Sequence, residues 1–141
     1  MHIRATDPPV IEEADNGLVM RRLVNRETHW NAVSATWVRL DGRHQRLRND
    51  HVDRIYYLLE GSATFDMGGE RVGPVQAGDA VLIPRGEPYE LEGTLTYLVI
   101  SAPATHPDDN VYLEGSRCRE GGPPPPLAGI ASPSRSDEER P

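Results

Sequence analysis

Lysine is absent from all 141 residues, so every one of the 15 basic side chains is an arginine. That excludes a Schiff-base mechanism and with it pyridoxal phosphate chemistry. An anion held inside the fold would meet only planar, permanently charged guanidinium groups. Cysteine is nearly absent as well. The single thiol, Cys118, builds neither a disulfide framework nor a thiolate metal site, and nothing demands an oxidising compartment. Residues 1–17 carry acids and two prolines but no apolar leader-like run. No stretch approaches the roughly 20 apolar residues of a membrane span, so the expectation is a soluble, cytoplasmic protein. Basic surface is in deficit: 22 acidic residues against 15 basic ones leave a net charge of −7. This argues against nucleic acid or an anionic membrane as partner, since both are bound through basic surface.

Helical periodicity is missing too. No stretch of ten or more residues keeps a 3.6-residue apolar period without Gly or Pro. Short runs rich in β-branched and aromatic residues take its place, at 18–24, 30–40, 52–59, 62–66, 80–83 and 95–101. Gly68-Gly69 fits a two-residue hairpin turn, because glycine tolerates the positive φ such turns require. Many short strands at regular spacing predict an all-β sandwich or barrel. Residues 18–113 form that domain on this reading. Residues 1–17 read as an N-terminal arm of the kind that pairs with a partner subunit and covers a sheet edge. Residues 114–141, with the proline run 123–126, read as a disordered tail that buries too little apolar surface to offset its ordering entropy.

The punctuation from Gly42 to Gly93 resembles two motif frames of the cupin family. Gly42, five residues, Arg48-Asn49-Asp50, three residues, Arg54, six residues and Gly61 fall on the first frame, in which cupins place His-x-His and a glutamate. Gly78, Pro84, Gly86, Tyr89 and Gly93 fall on the second, where Tyr89 stands at the histidine position. The resemblance implies a single cupin-type β-barrel, a jelly roll with little helix, and a homodimer. It also implies a metal held by those four ligand positions, and there the residues object. Arginine has no lone pair to offer a metal, and two guanidinium groups repel a divalent cation. The expectation is therefore a metal-independent cupin without a cofactor.

Residues two apart on a strand share a face, so Arg48, Asp50, Arg54 and Tyr56 are expected to point into the barrel together. Enclosed charges must be paired, and Asp50 between two arginines supplies that pairing. A divalent metal plus one Glu sums to +1, and so does Arg-Asp-Arg. One guanidinium then remains for a carboxylate, phosphate or enolate oxygen. Tyr89 and Tyr56 are the acid/base candidates, on the argument that a neighbouring guanidinium favours the ionised phenol. The candidate catalytic residues are Tyr89, Arg54 and Asp50. The candidate substrate-binding residues are Arg48, Arg54, Tyr56, Trp37 and His44, with His44 at the pocket mouth. Trp30 and Trp37 are expected on opposite faces of one strand, one in the core and the other over a ligand or a dimer contact.

These residues point to an anionic small organic molecule bound in the barrel. Isomerisation, dehydration or cyclisation of a carbonyl compound in specialised metabolism fits the equipment. Two other readings stay open. One is a non-catalytic binding or sensing module. The other is a metal-dependent dioxygenase with relocated ligands His44, His51 and Asp53, which requires a β-bulge near Asn49 to turn His51 and Asp53 inward.

Overall fold

The computed structural model describes residues 1–115, 117 and 118. Its strands are β1 (Ile11–Glu13), β2 (Leu18–Val24), β3 (Ser34–Asn49), β4 (Asp53–Met67), β5 (Glu70–Gln76), β6 (Ala80–Ile83), β7 (Tyr89–Ala102) and β8 (Asn110–Tyr112). Every pairing between them is antiparallel, in the order β1-β2-β3-β7-β4-β5, with β6 added to β4 and β8 to β3. Two 3-10 turns, Ala14–Asn16 and Pro107–Asp109, are the helical content of the described residues. No helix among them is long and apolar enough to cross a membrane.

Runs 18–24 and 80–83 coincide with β2 and β6. Runs 52–59 and 62–66, expected as two strands, are one continuous strand, β4. Gly61 makes this possible. Its φ of +80° is a left-handed conformation that favours glycine, and a Cβ there would run into the carbonyl oxygen of Thr94. The chain thus bends sharply over β7 without leaving the ladder. Gly93 does the same from the other side, where a Cβ would meet the carbonyl oxygen of Ser62. The Gly68-Gly69 hairpin is present, both residues having positive φ between the Met67–Glu70 pair.

Alternation along the long strands selects the core. Leu58, Phe65, Leu91, Leu95, Val38 and Leu40 turn to the interior with Tyr56, Tyr89 and Tyr97. The N-terminal arm folds back on its own chain. Strand β1 pairs with β2, and Arg21 Nη1 donates to the carbonyls of Ala5 and Pro8 at 3.2 Å each. Glu114, at the start of the expected tail, accepts from Arg43 Nη2 and from the Arg46 backbone N–H. Arg117 lies over the Tyr112 ring at 4.0 Å. The remainder of the tail expectation, including the proline run, lies outside the described residues.

Candidate functional site

Period-2 alternation on β4 sends Arg54, Tyr56 and Leu58 inward. Tyr89, the first residue of β7, sits beside them through the β4–β7 ladder. Arg54 is 6% exposed and Tyr89 1%. Arg54 Nη1 donates to Tyr89 Oη at 2.8 Å, and Tyr89 Oη lies 2.7 Å from Tyr56 Oη. The remaining partners of Arg54 are Ser101 Oγ through Nε at 3.3 Å, and Thr105 Oγ1 and Asn110 Oδ1 through Nη2 at 3.2 and 2.8 Å. All are neutral. Among the described residues, no carboxylate is ion-paired with this buried guanidinium.

Burial pulls the pKa of Arg54 down, but the surrounding phenols of Tyr89 and Tyr56 outweigh it and hold the group charged. Burial pushes the Tyr56 phenol well above the ordinary tyrosine range, reinforced by Tyr89 and Tyr97, and this overrides the attraction of Arg54. The expectation that a neighbouring guanidinium would lower that phenol is thus reversed, because desolvation is the larger effect. Tyr97 is also pushed up by burial. His44 is buried and stacked on Tyr112 at 6.2 Å between ring centroids. Burial lowers its pKa, so the imidazole is neutral. Its Nδ1 lies 2.9 Å from the Gln45 carbonyl, which only accepts. Nδ1 therefore carries the proton and Nε2 keeps its lone pair.

Arg48 and Asp50 do not join this cluster. Between His44 and Leu47 the β3–β7 register advances three residues on β3 for two on β7. This bulge inverts the alternation, so Leu47 and Asn49 are buried. Arg48 then turns outward and pairs with exposed Asp50, Nε to Oδ1 at 3.0 Å. The four-residue inward row expected from strict alternation fails at this single extra residue. His51 is exposed, and Asp53 is paired with Arg85 at 3.1 Å, so the relocated trio of His44, His51 and Asp53 is not assembled. Trp37 alternates with buried Val38 and faces outward, while Trp30 precedes β3 and is 60% exposed. Neither tryptophan enters the core.

The interior near the motif positions is therefore Leu47, Asn49, Arg54 and Tyr89. An alkyl side chain, an amide, a guanidinium and a phenol are not a donor set for a divalent ion. No group of three or more His, Cys, Asp or Glu residues suited to a metal occurs among the described residues.

Sequence reasoning missed Asn49, Ser101, Thr105 and Asn110. Asn49 Nδ2 donates to Thr105 Oγ1 and Asn110 Oδ1 at 3.3 Å each, completing the polar shell around Arg54. Thr105 and Asn110 lie beyond β7, where no periodicity marks an inward residue. The segment between them also contributes His106 and Pro107 to the lining of a cavity of about 830 Å³. That cavity lies against the N-terminal arm and is lined by Ile3, Pro8, Ile11, Leu23, His29 and His106.

No family model matches the chain. No curated relative matches its sequence. Solved structures do match its fold. Streptomyces PAC13 with uridine superposes with a TM-score of 0.71 at 17% identity, over 80% of this chain and 90% of that one. PAC13 is described as a nucleoside dehydratase and has been solved with uridine in forms with one histidine or either of two tyrosines replaced. The polyketide cyclase RemF from Streptomyces resistomycificus matches with a TM-score of 0.62 at 22% identity, over 82% and 87%. KdgF from Halomonas matches with a TM-score of 0.65 at 16% identity, over 77% and 96%. These are cupin-fold proteins, and the described residues have the cupin fold.

Proposed function

We propose that this chain binds an anionic or enolisable small organic molecule at the Arg54 end of the barrel and catalyses its dehydration, isomerisation or cyclisation by proton transfer. The observation that carries the reading is the buried charge of Arg54, which has neutral partners only. A guanidinium taken out of water is costly unless a negative charge compensates it. A substrate carboxylate, phosphate or developing enolate is that charge. It replaces the half-buried oxygens of Thr105 and Asn110 at Nη2, the side of Arg54 nearest solvent.

The hydroxyl chain supplies the proton path. Tyr89 Oη accepts from Arg54 and is in hydrogen-bond contact with Tyr56. A proton leaving Tyr89 for a departing hydroxyl leaves its negative charge directly against the guanidinium. His44, neutral and with Nε2 unprotonated, is the base on the same interior that removes the carbon-bound proton. The elimination balances: a C–H proton goes to His44, the C–O bond breaks, and Tyr89 protonates the leaving oxygen to release water. The reaction uses no cofactor. A nucleoside dehydratase and a polyketide cyclase on the same fold support this chemistry, as does the histidine and tyrosine pair altered in the first of them.

The test is thermal-shift screening of uridine-derived carboxylates against uridine itself, followed by turnover of whichever compound binds. Carboxylates are expected to stabilise the wild type and to lose that effect in Arg54→Gln. Tyr89→Phe should still bind and lose about 10²-fold or more of turnover. A carboxylate shift that survives Arg54→Gln would sink the site. Tight binding without turnover in the wild type would make the chain a binding module.

A further inference from the structure

The cavity beside the N-terminal arm has no part in the chemistry proposed above. Its volume of about 830 Å³ lies within the range of small-molecule sites. None of Arg54, Tyr56, Tyr89, His44, Thr105 and Asn110 lines it. Three stretches of chain make its wall: the arm, the end of β2 with the turn after it, and His106-Pro107. Ile3, Pro8, Ile11 and Leu23 give the wall its apolar part. Arg21, which is not in the wall, holds the arm in place by donating to the carbonyls of Ala5 and Pro8.

The polar part of the wall selects what can bind. Glu27 is already satisfied: Oε1 accepts from Arg22 Nη2 at 2.7 Å, and Oε2 lies 3.4 Å from His106 Nε2. Arg22 and Glu27 thus cancel each other's charge. His29 is different. Its Nδ1 accepts from the Asn25 backbone N–H at 3.2 Å, and that group only donates. Nδ1 therefore keeps its lone pair and Nε2 carries the proton. No described residue accepts from Nε2, nor from Nη1 or Nε of Arg22. Asp7 has no ion pair among the described residues, and its charge is negative. The wall thus offers donors to a ligand and opposes an anion. We propose that this cavity is a second ligand site, which takes a neutral, apolar ring compound bearing a carbonyl group. The carbonyl oxygen accepts from His29 Nε2, and the ring body lies against Ile3, Pro8, Ile11 and Leu23. A carbonyl oxygen accepts without bringing a donor that needs a partner of its own. Apolar walls with a few placed polar groups are the ordinary make-up of such a site. The ligand class is the opposite of the one proposed for Arg54: neutral here, anionic there. The site stands whether or not the reading of the interior does.

Fluorescence titration of the full chain with the neutral aryl ketone prodan, whose emission moves to the blue on leaving water, tests it. Saturable binding of one prodan per chain is expected. Ile3→Glu, in the arm and outside every strand, should weaken it about tenfold or more by setting a charge among apolar groups. Arg21→Gln should weaken it as well, by releasing the arm. His29→Phe keeps a ring, loses the donor and should weaken binding about fivefold. Arg54→Gln, in the interior, and Tyr57→Glu, on the exposed outer face of β4, should leave it unchanged. In competition, acetonaphthone should displace prodan, and naphthoate, the same ring with a carboxylate, should do so about tenfold less well. Asp7→Asn should narrow that gap. No saturable binding, or binding that Ile3→Glu leaves intact, overturns the site. Loss of binding in Arg54→Gln or in Tyr57→Glu places prodan elsewhere and overturns it too. An unchanged affinity in His29→Phe overturns the carbonyl contact, and equal competition by naphthoate overturns the neutral ligand class.

Discussion

Strand β4 shows two faces of opposite character from alternate residues of one segment. Inward stand Arg54, Tyr56 and Leu58, and outward stand Ile55, Tyr57 and Leu59. In an ordinary half-buried strand the apolar residues face the core and the polar ones face water. Here a cation and a phenol are inside, while an isoleucine, a tyrosine and a leucine are outside. Tyr56 and Leu58 serve the core, but Arg54 on the inner face and the whole outer row do not. The inner face holds a charge that costs free energy without an anion, and the outer face exposes apolar area that water disfavours. The buried cation is intelligible if the inner face takes an anionic small molecule, as proposed above.

The sharpest way to break this comparison is to truncate neighbouring tyrosines. Tyr56→Ala should cost about 3–5 kcal/mol in urea unfolding, as a large buried side chain does. Tyr57→Ala should cost about 1 kcal/mol or less. Equal costs would mean that the two faces of β4 are wrongly assigned.

A smaller contrast tests the inverted alternation at the end of β3. Asn49→Ala removes hydrogen bonds to Thr105 and Asn110 and frees the His51 backbone N–H. A cost of about 1–3 kcal/mol is expected, with weaker ligand binding. Asp50→Ala breaks only the exposed pair with Arg48, for about 1 kcal/mol or less, and should leave binding unchanged. Binding that depends on Asp50 and not on Asn49 would restore the unbulged register.

The gentlest probe is pH. Burial depresses the pKa of His44 in the folded state below its ordinary value of 6.5. The unfolded chain therefore binds the extra proton first as pH falls below about 6.5. The stability associated with neutral His44 is fully present above that value and is lost as pH falls toward the depressed folded pKa. The slope is at most about 1.4 kcal/mol per pH unit. His44→Gln should flatten the unfolding midpoint between pH 6.5 and 5 relative to wild type. An unchanged slope would mean that His44 is not buried in its neutral form.

Part of the site is legible without coordinates. Arg54, Tyr56 and Tyr89 follow from the motif frame together with a period of two, because no bulge lies between Arg54 and Tyr56 and their parity survives. Arg48 and Asp50 fall to the wrong face for a local reason. One extra residue between His44 and Leu47 inverts everything after it, and nothing in the polar run Gln45-Arg46 marks where the insertion falls. Thr105 and Asn110 are illegible for a different reason. They come from an irregular segment whose side chains reach Arg54 only because the chain turns back after β7.

The order of residues by itself determined the class of fold and the identity of the buried charge. Alternation, glycine turns and the absence of lysine are local properties, and they translate directly into strands, bends and a buried cation that is an arginine. Which residues surround that arginine, and which face of the sheet stays bare, only the tertiary structure decided. Both depend on register, and register is set jointly by strands far apart in the chain, where a single inserted residue changes every face that follows.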